Sequence, residues 1–182
     1  MEEFIIQKAK KGDPKAVEML YKHFYGFAMG IALRYSYNKE EACEIVNDSF
    51  MKVFDKLQSY EQQNSFKGWF RRIIVNTSID YYRKNNKYKA VLDIEHAHVR
   101  ELDPSVIDEL SKEDILNLLR NLPDMLRIVF NLYEIEGYSH NEIAEKLTIP
   151  SSTSRTYLAR AKEKLREKIT LLNKQSDEGA IR

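Results

Sequence analysis

Apolar residues in this chain recur at intervals of three and four. That spacing gathers them on one side of a helix, whereas it would scatter them over both faces of a strand. Only six glycines and four prolines interrupt the 182 residues. An all-α fold follows. Phe4 to Lys11 reads as a short helix stopped by Gly12, and Asp13-Pro14 then supplies an N-cap and a proline at the first helical position. The next helix carries Val17, Leu20, Tyr21, Phe24, Phe27, Ala28, Ile31 and Tyr35 on one face. Asn38 opens a third, with Glu41 at the capping-box position and an inward stripe of Ala42, Ile45, Val46, Phe50, Val53, Phe54 and Leu57. A polar loop from Tyr60 to Ser65 leads into a fourth, which carries Phe66, Phe70, Ile73, Ile74, Thr77 and Tyr81 and runs to about Arg83.

Periodicity fades from about Lys87 to Lys112, a stretch that contains Pro104 and reads as a linker. Beyond it the pattern predicts helices from about Glu113 to Asn121 and from Asp124 to Glu136. A third runs from the capping box Ser139-His140-Asn141-Glu142 through Lys146, and a long one from Ser151 to about Leu172. The expected organisation is two small helical domains, residues 1–86 and 113–173, joined by an acidic linker at 87–112 and followed by a polar tail at 174–182.

Twenty-nine Lys and Arg against 28 Asp and Glu, beside 43% hydrophobic residues, exclude both a disordered chain and a globally basic nucleic-acid binder. The single cysteine, Cys43, permits no intramolecular disulfide, so a reducing compartment, the cytoplasm, is expected. No stretch approaches the roughly 20 apolar residues of a membrane span, so no direct membrane association is expected. The near-zero sum hides strong local fields. Residues 67–89 carry seven basic side chains against Asp80 alone, and residues 151–168 carry six against two acidic ones. Between them, residues 92–114 carry eight acidic side chains against two basic ones. A further acidic block lies at 40–61, where the outward stripe of the third helix is Glu41, Glu44, Asp48, Lys52 and Asp55. Two basic modules point to one polyanion touched twice, while the acidic helix calls for a separate basic partner.

The last two helices and their turn at Thr148-Ile149-Pro150, with Ile143, Ala144, Leu147, Ile149 and Leu158 inward, form the helix-turn-helix pattern. The second of them begins with Ser151, Ser152, Thr153 and Ser154, whose amides suit phosphates. Arg155, Thr156, Tyr157, Ala159 and Arg160 follow at the depth of base edges, and Lys162, Lys164 and Arg166 suit the backbone. On the fourth helix Trp69, Arg72, Asn76, Asp80 and Arg83 share a face apart from the apolar stripe, with Lys84 beside it. An indole that stacks on bases, an amide for base edges and cations for phosphates are what single-stranded DNA requires. Trp69 by itself reads rather as a core residue. The loop Glu61-Gln62-Gln63-Asn64-Ser65 just before it is long enough to fold around an unstacked base.

These strings, in this order, resemble the extracytoplasmic-function (ECF) sigma factors of bacterial RNA polymerase. In the first module the resemblance rests on residues Glu40 to Phe50, on Phe66-Lys67-Gly68-Trp69-Phe70-Arg71-Arg72-Ile73, and on Asn76-Thr77-Ser78-Ile79-Asp80-Tyr81-Tyr82-Arg83-Lys84. In the second it rests on Leu122-Pro123, on Arg127-Ile128-Val129-Phe130, on Gly137 to Ala144 and on Thr153 to Ala161. It implies a first domain of the sigma region 2 type, whose acidic helix docks on the clamp helices of the polymerase largest subunit through Glu41, Glu44, Asn47, Asp48, Lys52 and Asp55. It further implies recognition and melting of the minus-10 promoter element by Asn64, Trp69, Arg72, Asn76, Asp80, Arg83 and Lys84. The second domain, of the region 4 type, is expected to read the minus-35 element through Ser152, Thr153, Arg155, Thr156, Tyr157, Ala159, Arg160 and Lys162. A membrane-bound anti-sigma factor is a further candidate partner. The chain departs from the family at Asn47, where Gln is common, and at Pro150, where Ser often caps the recognition helix.

An enzyme is the competing class, but no phosphate-binding glycine loop, nucleophile motif or paired zinc ligands occur, and His23, His96, His98 and His140 are scattered. No catalytic residue, metal or cofactor is expected. A helix-turn-helix repressor or activator with an N-terminal sensor or dimerisation domain explains the C-terminal module, yet leaves the acidic stripe and the fourth helix unassigned.

Overall fold

The computed structural model describes residues 2–61, 65–91 and 112–179. Among these the chain forms α1 (Glu2–Lys10), α2 (Pro14–Tyr35), α3 (Lys39–Lys56), α4 (Phe66–Val91), α5 (Lys112–Arg120), α6 (Asp124–Phe130), α7 (His140–Leu147) and α8 (Ser151–Gly179), with no strand. It divides into two compact units that part between residues 92 and 93. The expected linker and the histidines His96 and His98 lie largely or wholly outside the described residues, as does Asn64.

In the N-terminal unit α2 packs against α1, α3 and α4, and α3 packs against α4. Phe24, Phe50, Phe66 and Phe70 meet at the centre, with ring centroids 4.7 Å apart for Phe24 and Phe66 and 4.9 Å for Phe50 and Phe70. Burying each ring contributes roughly 1.5–3 kcal/mol. Helix starts follow the sequence. The Asp13 carboxylate accepts from the amides of Lys15 and Ala16 ahead of the Pro14 first turn, and Asn38 Oδ1 accepts from the Glu41 amide at 2.8 Å. Gly12, at φ +79°, makes the left-handed turn that ends α1. Three hydroxyls buried in this unit are satisfied within their own helices: Ser49 donates to the Ile45 carbonyl, Thr77 to Ile73 and Ser78 to Ile74.

In the C-terminal unit α5, α6 and α7 all pack on α8. Leu119, Leu122, Leu126 and Ala161 form its core, with Phe130, Tyr157 and Leu165 against them. Arg127 is buried and donates to Asp124 Oδ1 at 2.8 Å, so its charge enters the core already paired. The helix expected to run unbroken to Glu136 instead widens into a π turn at Asn131–Ile135, closed by Glu136 N–H to the Asn131 carbonyl at 2.9 Å. One wide turn shifts the apolar spacing too little to leave a trace in the sequence. Two helices also outrun their expected ends. α4 continues to Val91 and α8 to Gly179, because no glycine or proline stops either one where the apolar pattern fades.

The turn between α7 and α8 places Thr148 at φ 56°, ψ 48°, a left-handed conformation that a β-branched residue adopts at a cost of roughly 1–2 kcal/mol. The geometry returns two capping bonds, from the amides of Thr148 and Ile149 to the Ala144 carbonyl. Thr148→Gly should therefore stabilise this unit by about 0.5–1 kcal/mol, the relief of strain exceeding the added freedom of the unfolded chain. A urea titration followed by circular dichroism should show a higher midpoint. An unchanged or lower midpoint would mean that the threonine gains more locally than it loses in strain.

Candidate nucleic-acid interface

The orientation of α8 is set at α7. Ser139 and Glu142 close the expected capping box: the Ser139 amide donates to Glu142 Oε2 at 2.8 Å and the Glu142 amide donates to Ser139 Oγ at 3.3 Å. The next residue, His140, reaches across to α8. Its Nδ1 lies 2.9 Å from the Oγ of fully buried Ser154, and its ring stacks on Tyr133 with centroids 4.5 Å apart. This contact fastens α7 to the first turn of α8. Sequence reading left His140 without a role, because its partners stand seven residues before it and fourteen after.

Burial, and secondarily the cation of Arg155, hold the His140 pKa below its ordinary value. In the unfolded chain the imidazole protonates near pH 6.5, while in the folded unit it stays neutral below that. The unfolded state then binds more protons, so the stability that His140 contributes is intact above about pH 6.5 and declines as pH falls below it. Thermal melts by circular dichroism from pH 7.5 to 5 should show this decline, and His140→Gln should flatten it. An equal pH slope in the variant would assign the effect to other groups.

Along α8, Ser152, Arg155, Thr156, Ala159 and Arg160 are all exposed, within an arc of about 140° at 100° per residue. Thr156 Oγ1 donates to the Ser152 carbonyl at 3.1 Å, and Arg155 Nη2 lies 3.4 Å from Ser151 Oγ. Thr153, Tyr157 and Lys162 stand apart from this strip and are half-buried. Tyr157 packs against the core of the unit, and Lys162 Nζ pairs with Glu134 Oε1 at 2.6 Å. The open strip is thus narrower than the set of residues expected from sequence.

On α4 the spacing holds. Arg72, Asn76, Asp80, Arg83 and Lys84 are exposed. Trp69 is half-buried, its ring 5.1 Å from Tyr60 and 5.6 Å from Phe66, so it is anchored in the unit along one edge and open along the other. Trp69 is thus in part a core residue. Tyr60 is itself held by α1, since Lys10 Nζ donates to its carbonyl and Gln58 Nε2 donates to the Lys10 carbonyl. Asp80 interrupts the basic face but is partnered, with Lys52 Nζ at 3.1 Å and Arg83 Nη1 at 3.9 Å.

The outward face of α3 differs from the expected stripe at two positions. Glu41 is drawn in, its Oε2 accepting from the Tyr37 amide at 2.9 Å, so it serves the start of the helix. Lys52 turns toward α4 and pairs with Asp80. Glu44, Asn47, Asp48, Met51 and Asp55 are left exposed, all within about 100° of arc. Met51, 61% exposed at the middle of this face, was not picked out in the sequence. Its spacing from Glu44, Asp48 and Asp55 was the available signal. Asn47 Oδ1 accepts from the Tyr21 hydroxyl at 3.2 Å.

One unit thus carries a helix-turn-helix, and the other presents a basic helix beside an acidic one. The family pattern described as Sigma-70 region 2 matches residues 20–88, and that described as Sigma-70, region 4 matches residues 112–165. The ECF RNA polymerase sigma-E factor of Haemophilus influenzae is 29% identical over 177 residues, covering 91% of this chain and 93% of that one. The factor of the same name from Escherichia coli (strain K12) is 23% identical over 180 residues, covering 92% and 94%. Among solved structures, the sigma factor RpoE in complex with the anti-sigma factor NepR from Bartonella quintana shares the fold at TM-score 0.55 and 21% identity, covering 84% of this chain and 96% of that one. CnrH in complex with the cytosolic domain of CnrY does so at TM-score 0.50 and 20% identity, covering 93% and 97%. The chain belongs to the ECF sigma factors, and its role is to direct transcription initiation.

Proposed function

We propose that this sigma factor joins core RNA polymerase through the exposed face of α3 and promoter DNA through α4 and α8. One observation carries the reading. An acidic face (Glu44, Asp48, Asp55) and a basic one (Arg72, Arg83, Lys84) stand on adjoining helices of one unit, while a second basic strip stands on the other unit. A repressor has no use for the first of these. The domain limits are taken as 1–86 for polymerase binding and the minus-10 element, 113–173 for the minus-35 element, 87–112 as linker and 174–182 as tail. Asn64 acts with Trp69, Asn76 and Arg83 on the melted strand. The protein works by binding alone, carries out no reaction of its own, and acts in the cytoplasm. Among the described residues no helix is long and apolar enough to cross a membrane, and no cluster of His, Cys, Asp or Glu is arranged to hold a metal. The solved relatives named above are complexes with regulatory partners, and we extend this to an anti-sigma factor for this chain, anchored in the membrane.

The test is reconstitution with sigma-free core polymerase on genomic promoter fragments. Discrete run-off transcripts that require the chain are expected. A dimer that binds a palindromic site tightly by itself and adds nothing to core polymerase would establish the repressor reading instead.

A further inference from the structure

We infer that Tyr21 is a positioning residue for the polymerase-binding face, acting through Asn47 to set which atoms that face offers its partner. The inference rests on the reading of α3 given under Proposed function. Tyr21 stands on α2 with its ring packed against Phe50 and Tyr25, at centroid distances of 4.5 and 5.5 Å. The ring is therefore fixed, and its hydroxyl crosses to α3 and donates to Asn47 Oδ1 at 3.2 Å.

A carboxamide has one accepting oxygen and two N–H donors. With the oxygen engaged by Tyr21, Asn47 offers its N–H pair outward. Glu44 and Asp48, exposed beside it on the same face, are carboxylates that accept. The face thus has a fixed polarity, with a donor along one edge and acceptors beside it. The partner that fits is a basic helical surface bearing one acceptor opposite Asn47: a carboxylate, a side-chain amide or a main-chain carbonyl. Without the phenolic hydroxyl the amide rotates freely and presents its oxygen as readily as its nitrogen, and the ordering must then be made up on binding.

Tyr21→Phe keeps the packed ring and removes only the donor. It should weaken binding to core polymerase by about threefold to tenfold while leaving the thermal midpoint unchanged. The discriminating measurement is a double-mutant cycle, because in an Asn47→Ala background Tyr21→Phe should have no further effect. An equal loss in both backgrounds would overturn the positioning role. Asp48→Arg serves as a separate arm. Loss of binding there with none in Tyr21→Phe overturns this inference alone, whereas no loss in either overturns the assignment of the face as well.

Discussion

Asp48→Arg should lower the affinity for core polymerase by about tenfold or more, chiefly by slowing association, because reversing a charge at an interface with a basic partner replaces attraction with repulsion. The helix itself should be indifferent. Asp48 is exposed in the middle of α3, away from the packed face of Ile45, Val46, Ser49 and Phe50, and arginine is a good helix former. The measurement is association of wild-type and variant protein with core polymerase at two salt concentrations, beside melts of both. The deficit should shrink as salt screens the new repulsion. Equal association rates would reduce the acidic face of α3 to a solvated surface.

The second large effect separates the two helices proposed to meet DNA. Arg155 and Arg160 lie at the two edges of the exposed strip of α8, five residues and so about 140° apart, and cannot both reach one base pair. On the proposed reading Arg155, nearer the helix N-terminus, meets the base edges. Arg155→Ala should cost roughly 1–3 kcal/mol and relax preference at one upstream position. Arg160→Ala should weaken binding evenly across sequences and reduce the salt slope. Asn76→Ala, on the other unit, should leave upstream binding intact and impair strand opening. A pre-melted promoter template should therefore restore transcription to Asn76→Ala and not to Arg155→Ala. Restoration of both, or of neither, would show that the helices have been assigned to the wrong steps.

Much of this architecture was legible because helices announce themselves locally. Asp13-Pro14, Asn38 and the Ser139 to Glu142 box each name a helix start from within four residues, and the structure places a helix at each. The apolar stripes of α2, α3 and α4 meet in the aromatic core that their spacing implied. What stayed hidden depends on side chains that meet from distant parts of the chain. Lys52 reads as part of an outward stripe until α4 brings Asp80 within 3.1 Å. Lys162 reads as a phosphate contact until the π turn sets Glu134 beside it, and Tyr157 as a base reader until α6 supplies the core against which it packs. Glu41 reads as the reciprocal half of a capping box on Asn38, but its carboxylate takes the amide of Tyr37, one residue before the N-cap.

The half-buried indole of Trp69 also determines what an optical experiment can report. It is the only tryptophan in the chain, and it belongs to the N-terminal unit. Its emission, set by the Tyr60 and Phe66 rings against it, follows the unfolding of that unit and is silent about the helix-turn-helix. Far-ultraviolet circular dichroism weighs the helices of both. Each unit has its own core, so the two signals weigh different sets of residues. A single free energy of unfolding for the whole chain therefore has meaning only where the two signals change together.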